Sequence, residues 1–395
     1  MRRSYKFLLR PTRQQEAALS ACLEDTRQLY NAALEERREA WRMRRQRVSF
    51  FSQSAQLKEI RADDPHRYGH WSFACERAAL RRLDRAFQGF YRRVKAGQKP
   101  GYPRFKGRGW DSIEWPADNG ARWNPVPHPE VARVYLKGIG HVRVHQHRAV
   151  QGRAKTVTAK REGDRWYVVL SCDDVPTQPL DPVGAPVGID MGVASFLTTS
   201  SGAHVPNPRH LAASAGRLAS AQRDLARKRR GGNRRKKAAA RVAKLHGKVC
   251  RQRLDHAHKT ALTLVRSHDL IVHEHLRITS MTARPKPRPN GTGGHEPNGA
   301  AAKSGLNKSI HDAGWGIFLR VLSAKAESAG RAVIAVDPRH TSQQCAECGH
   351  TAEGNRVTQA EFLCLACGHH AHADVNAAVN ILRAGLALQE ACQVA

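Results

Sequence analysis

Acid is scarce in this chain beside base. Its 395 residues hold 34 Asp and Glu against 66 Lys and Arg, a formal excess of +32. Self-repulsion on that scale adds nothing to the stability of a fold, so it marks a chain whose partner is a polyanion. Long apolar runs are also missing: none approaches the roughly 18 residues of a spanning helix, which excludes a helical membrane protein. The basic start MRRSYKFLLRPT has only a very short apolar stretch, broken at Pro11, and is not a signal peptide. Cysteine is sparse, nine in all, with four gathered in two CxxC pairs. That distribution fits bound metal in a reducing cytoplasm and not a disulfide framework. Cys22, Cys75, Cys172, Cys250 and Cys392 are scattered and read as ordinary thiols.

The length allows two or three domains, and no internal repeat is visible. Residues 3–10 alternate as a strand, and Pro11-Thr12 opens helical patterning that continues to residue 95. Its stripes include Leu19, Leu23, Leu80, Leu83, Phe87 and Phe90, with arginines on the other faces, which reads as a surface for a phosphate backbone. Over 96–112, Gly and Pro exclude a regular helix. There Tyr102, Phe105 and Trp110 among Lys and Arg suit a loop that stacks bases and contacts phosphates. Residues 113–182 hold the strand-like pieces ARVYLKG, HVRVHQH and KTVTAKREGDRWYVVLSC, expected to form a small antiparallel barrel or sandwich. From 186 the pattern predicts three strands, a helical stretch over 208–267 broken at Gly231-Gly232-Asn233, and the buried strand LIVHEHL. A Pro/Gly-rich segment at 282–305, expected to be mobile, precedes a helix over 306–329, the strand RAVIAVDP, the cysteine block and a closing helix from Asp374.

Three acids stand out in this basic chain. Asp190 lies in VGIDMG, Glu274 in LIVHEHL, and Asp374 opens DVNAAVN. Two sit on short apolar runs and one at a helix start, where the dipole favours its charge. Taken singly, each has a bland reading: a turn residue, an edge charge, an N-cap. Their order along strands and helices is that of an RNase H-like α/β domain, and metal-dependent phosphodiester chemistry needs such converging carboxylates. Hard oxygen ligands select Mg²⁺ or Mn²⁺. Cys345-x2-Cys348 and Cys364-x2-Cys367, fifteen residues apart, supply four thiolates for a closed structural Zn²⁺ site, with Asp374 seven residues beyond Cys367. Gly349 and Gly368 let the chain turn after each pair. His350, His369, His370 and His372 crowd this block without being needed as ligands, and His273 and His275 alternate away from Glu274. The run from Arg227 to Lys237 packs eight cations into eleven residues and favours contact with a nucleic acid over a merely solvated helix surface.

At these residues the chain resembles the TnpB (OrfB) family, transposon-encoded RNA-guided nucleases related to type V CRISPR effectors. YKFLLRPT with LYNAALEER resembles the N-terminal block of the family, and KPGYPRFKGR its mid-region signature. VGIDMGV, IVHEHLRITSM and CLACGHHAHADVNAAVNIL resemble its three RuvC blocks. The resemblance implies an α+β multidomain fold. Residues 1–10 with 96–182 would form a β-barrel wedge and 11–95 a helical recognition lobe. Residues 183–340 with 371–395 would be an RNase H-like (RuvC) nuclease domain, with a zinc ribbon inserted at 341–370. It implies Asp190, Glu274 and Asp374 as catalytic Mg²⁺ ligands, and Cys345, Cys348, Cys364 and Cys367 as Zn²⁺ ligands. It implies guide RNA and double-stranded target DNA as partners of a monomeric ribonucleoprotein in a bacterial or archaeal cytoplasm, at the nucleoid. Ala373 stands where many relatives carry arginine, and His275 where an acidic or polar residue is frequent. The rival readings are a DDE-type transposase, which shares the fold and the acids but joins strands, and an RNA-guided repressor with a dead site.

Overall fold

The first strand, β1 (Arg3–Arg10), turns Tyr5, Phe7 and Leu9 inward, and Pro11 stops it. Thr12 then caps α1 (Arg13–Arg44). Its hydroxyl accepts from the Gln15 amide at 3.2 Å, while the Gln15 side chain accepts from the Thr12 amide at 3.1 Å. The computed structural model describes residues 1–107, 109–124, 132–291 and 293–394, and forms two units, Met1–Pro176 and Thr177–Ala395. The boundary falls before residue 182 because the Gln178 and Leu180 amides bond to the Ser328 and Ala329 carbonyls of the second unit.

In the first unit α2 (Phe50–Asp63) and α3 (Phe73–Lys95) follow, capped by the Ser49 and Ser72 hydroxyls. The remaining strands are β2 (Ser112–Pro116), β3 (Ala121–Asn124), β4 (Arg133–Leu136), β5 (Gly140–His145), β6 (Arg153–Glu162) and β7 (Arg165–Asp173). With β1 they make a seven-stranded antiparallel sheet in the order β2-β6-β7-β1-β5-β4-β3. One core serves sheet and helices, with Phe7, Trp115, Trp166 and Leu170 in the same cluster as Leu19, Leu34, Leu80 and Leu83. β2 and β3 go beyond the strands legible in the sequence. β2 does alternate, with Ile113 and Trp115 inward, but it is only five residues long and ends in Pro116.

The expectation that Trp110 stacks bases is overturned. It is 8% exposed, its ring lies 5.2 Å from Tyr30, and its Nε1 donates to Thr26 Oγ1 at 3.2 Å. Burying the indole and pairing its N–H within the unit leaves no face for a ligand. Among its described residues the loop has no helix or strand but is held to α1, where the Asn31 amide exchanges two hydrogen bonds with the Lys106 backbone. Arg108 of that loop lies outside the described residues.

The second unit begins with β8 (Pro186–Asp190), β9 (Ser195–Thr199) and β10 (His204–Pro206), followed by α4 (His210–Ala226) and α5 (Asn233–Ser267). β11 (Leu270–Glu274), α6 (Ile278–Met281), β12 (Arg288–Pro289), β13 (His295–Glu296), α7 (Ala300–Ala313), α8 (Trp315–Ala329) and β14 (Ala332–Val336) come next. β15 (Glu361–Leu363), β16 (His370–His372) and α9 (Ala373–Val394) complete it. The helix expected over 306–329 starts earlier, at Ala300, and breaks at Gly314. There a left-handed residue, φ 75°, ends one helix and begins the next. The 282–305 segment contains the β12–β13 hairpin as well as the start of α7, with Thr292 outside the described residues.

The main sheet runs β10-β9-β8-β11-β14, antiparallel through β10, β9 and β8 and parallel through β8, β11 and β14. Strand alternation divides its two faces. Val187, Ile189 and Ile271 join Leu264 of α5 and Phe318 and Leu322 of α8, whereas Leu270 and Val272 join Ile381 of α9. Two glycines set how closely α9 approaches. A Cβ at Gly188 would stand 2.1 Å from the Ala378 carbonyl oxygen, and one at Gly385 would stand 2.3 Å from Val272 Cγ2. Gly188→Ala is therefore expected to force α9 outward and cost about 1–3 kcal/mol of unfolding free energy. Gly216→Ala, in a helix where an added Cβ meets nothing within 4 Å, should be neutral or slightly stabilising. Denaturant unfolding of the two variants checks this; equal midpoints would sink it.

Candidate active site and cysteine ribbon

Asp190 is the last residue of β8 and Glu274 the last of β11. These strands pair in parallel with Ile189 opposite His273, so the next positions, Asp190 and Glu274, stand level at their carboxyl ends. Both have the parity of Gly188 and Val272 and so face α9. His273 takes the other parity and is buried, and His275 is exposed, so neither joins the acids. The first turn of α9 delivers Asp374 to the same place. The electrostatics register this meeting. Burial, then the neighbouring carboxylates of Glu274 and Asp374, push Asp190 up to about 7. Burial also raises Glu274, against a hydrogen bond at 2.5 Å from Thr341 Oγ1. Asp374 Oδ1 accepts from Arg356 Nη2 at 3.1 Å. A half-buried cluster of three acids with one arginine suits a hard divalent cation, which would relieve the repulsion.

The four cysteines also meet. Among the described residues they are the only group of three or more His, Cys, Asp or Glu whose ligand atoms lie within 4.8 Å of one another. The three carboxylates are therefore not drawn to that spacing, and no histidine of the block joins the sulfurs. Cys345 and Cys367 Sγ lie 3.7 Å apart, Cys348 and Cys364 3.6 Å. Four sulfurs at about 2.3 Å from a tetrahedral zinc stand about 3.8 Å from one another, so the quartet fits that ion. The two knuckles repeat one geometry: the Gly349 and Gly368 amides each bond the first cysteine carbonyl of their pair at 3.0 Å. The other five thiols form no disulfide, though Cys22 and Cys75, both buried, meet side chain to side chain.

Sequence reasoning did not find the residues that tie ribbon to acids. Asn376 and Asn380, four apart on one face of α9, are both buried. Asn376 accepts from the Ala346 amide at 2.9 Å, inside the first CxxC, and donates to Gln344 O at 2.7 Å. Asn380 donates to Thr341 O and Gln344 O. Thr341 in turn holds Glu274, and Arg356 of the ribbon holds Asp374. The spacing of the two asparagines was the available signal. Arg356 carried none, since it lies eighteen residues before its partner.

The family described as "Probable transposase" (OrfB_IS605) matches residues 167–284, the Cas12f1-like TNB domain 315–381, and the OrfB_IS605 helix-turn-helix domain 1–46. That last stretch is here one strand and one long helix. Two curated relatives are each named "Putative RNA-guided DNA endonuclease". One is InsQ of Escherichia coli (strain K12), 32% identical over 98% of this chain and 92% of its own length. The other, from Streptomyces pristinaespiralis, is 32% identical over 98% and 90%. The chain belongs to the OrfB (TnpB) family. A solved structure, the mini-RNA-guided endonuclease CRISPR-Cas_phi3, aligns over 98% of this chain and 92% of its own at TM-score 0.50 and 12% identity, a likeness of fold. The mixed α/β architecture with a zinc-ribbon-like TNB segment is thus shared with RNA-guided effectors.

In this OrfB family chain no helix of the described residues is long and apolar enough to cross a membrane. The basic run joins α4 to α5, and two of its cations are engaged internally: Lys228 Nζ pairs with Asp224 at 3.0 Å, and Arg235 Nη1 donates to the Leu225 and Lys228 carbonyls, closing the end of α4. Arg234, Lys236 and Lys237 are exposed. Replacing these three by Ala, and sparing Arg235, is expected to lower the slope of log affinity for RNA against log salt by about 0.7 for each phosphate no longer neutralised. A slope equal to wild type would make the run a solvated surface.

Proposed function

We propose that this OrfB family chain is an RNA-guided DNA endonuclease that cuts double-stranded DNA beside a short flanking motif, through Asp190, Glu274 and Asp374. The observation that carries the reading is the arrival of these three acids at one place, from two adjacent parallel strand ends and one helix start. The sheet order, three antiparallel strands and then two parallel ones with helices on both faces, supports an RNase H-like (RuvC) domain over 183–340 and 371–395. The ribbon at 341–370 would hold Zn²⁺ on Cys345, Cys348, Cys364 and Cys367. The seven-stranded sheet would be the wedge and α1–α3 the recognition lobe, together holding guide RNA.

Asp190, Glu274 and Asp374 would hold Mg²⁺ or Mn²⁺, which supplies Lewis-acid activation of water and neutralises the leaving oxygen. Thr341 fixes the rotamer of Glu274. The Arg356 guanidinium stands where it can share charge with a phosphate oxygen. Sequence selection belongs to base pairing with the guide and not to these side chains.

The test is purification with the RNA transcribed from the flanking locus, followed by plasmid cleavage in Mg²⁺ before and after ribonuclease. Cutting that needs RNA supports the reading. Cutting independent of RNA, or strand joining in place of cutting, would replace it with the transposase reading.

A further inference from the structure

The first unit carries a pocket that neither the proposed acids nor the basic run uses. It measures about 800 Å³ and opens between the end of α1, the turn to α2 and the C-terminal half of α3. Four large aromatic side chains on its lining are left in solvent: Phe51 at 75% exposure, Tyr91 at 54%, Trp41 at 45% and Tyr102 at 44%. Single exposed apolar residues are ordinary, but four on the lining of one concave site mark a place where something binds.

The rings are held, not loose. Tyr102 meets Phe87 and Phe90 edge to face, at 5.6 and 5.4 Å, and Tyr91 lies 5.3 Å from Phe90. Rings locked this way present ready-made faces and lose little entropy when a flat partner arrives.

The charge around them selects the partner. Arg37 and Arg47 line the pocket, and Arg45 stands 5.7 Å over the Trp41 ring. The one acid of the lining, Asp84, is already engaged by Arg37 at 3.4 Å and Gln88 at 2.7 Å. Arg37, 8% exposed, leaves its Nη2 without a hydrogen-bond partner among the described residues. Aromatic faces with arginine alongside, in a chain of +32, match a nucleobase with its phosphate better than an apolar metabolite or an amphipathic helix.

We infer that this pocket takes an unpaired nucleotide of the bound nucleic acid, the base stacking on the Phe51 and Tyr91 side and the phosphate meeting Arg47. The pocket belongs to the first unit and the three acids to the second, so the inference does not depend on the chain being a nuclease.

The test uses the full chain in EDTA, where no cutting occurs, with three single-stranded twelve-residue probes: oligo-dT, oligo-U and an oligomer of abasic sites with the same phosphates. Wild type should bind a base-bearing probe more tightly than the abasic one. Phe51→Ala combined with Tyr91→Ala should shrink that preference about tenfold and leave the abasic affinity and the salt slope unchanged, since the change removes stacking and keeps every cation. Both side chains are exposed, so folding is not at stake. A larger loss with oligo-U assigns the nucleotide to RNA, and a larger loss with oligo-dT to a DNA strand. If the double variant keeps the wild-type preference, the pocket serves a protein or nothing, and the inference fails. Equal weakening of all three probes would also overturn it.

Discussion

Asp190→Ala, Glu274→Ala and Asp374→Ala are each expected to abolish DNA cleavage in Mg²⁺ while RNA-dependent binding of target stays near wild type. The loss should be roughly a thousandfold or more, and a double variant should be little worse than a single one, because the acids act as a unit. Affinity rests on base pairing and phosphate contacts, which none of these changes removes. A single variant that retained substantial cutting would remove that residue from the site. The position of Asp190, pushed up to about 7 by burial and its acidic neighbours, adds a pH dependence with a definite sign. Below about pH 7 Asp190 holds a proton and competes with the cation, so cleavage at limiting Mg²⁺ should fall as pH drops and recover with added Mg²⁺. Without metal the sign for stability is opposite. The folded state binds the extra proton between the ordinary carboxylate range and pH 7, so the second unit should lose stability as pH rises through that window. Asp190→Asn, which has no carboxyl to titrate, should flatten the stability dependence.

Cys345→Ser or Cys364→Ser should release one zinc per chain and take cleavage with it. A structural zinc contributes about 10–16 kcal/mol of apparent binding energy in isolated fingers, so the ribbon cannot stay ordered without it. The damage is expected to spread along particular bonds. With the first knuckle disordered, Asn376 and Asn380 lose the Ala346, Gln344 and Thr341 backbone groups that they bond. Glu274 then loses Thr341, and Asp374 loses Arg356. Buried asparagines left unpaired cost about 1–3 kcal/mol each, which loosens α9 at its start. Zinc content, cleavage rate and hydrogen exchange over 373–381 should change together. A zinc-free variant that cuts at the wild-type rate would make the ribbon a detachable accessory. A wild type without zinc would remove the metal from the account.

Local chemistry was legible wherever one residue type has one physical use. Charge imbalance pointed to a polyanion, paired CxxC to a metal knuckle, Thr12 after Pro11 to a helix start, and apolar runs ending in Asp190 and Glu274 to strand ends. Apart from the charge balance, which is summed over the whole chain, those signals are written within a few residues, and all of them survive folding unchanged. Tertiary structure alone decided three things. It placed Trp110 in the core, because an indole among lysines and arginines looks alike whether it faces solvent or Tyr30. It divided the helix around Gly314, where one left-handed residue outweighs an otherwise continuous helical pattern. And it joined ribbon to acids through Asn376, Asn380, Thr341 and Arg356. Those pairings span up to 67 residues, and a hydrogen bond at such separation leaves no periodicity in the sequence because its two ends meet only after the chain has folded.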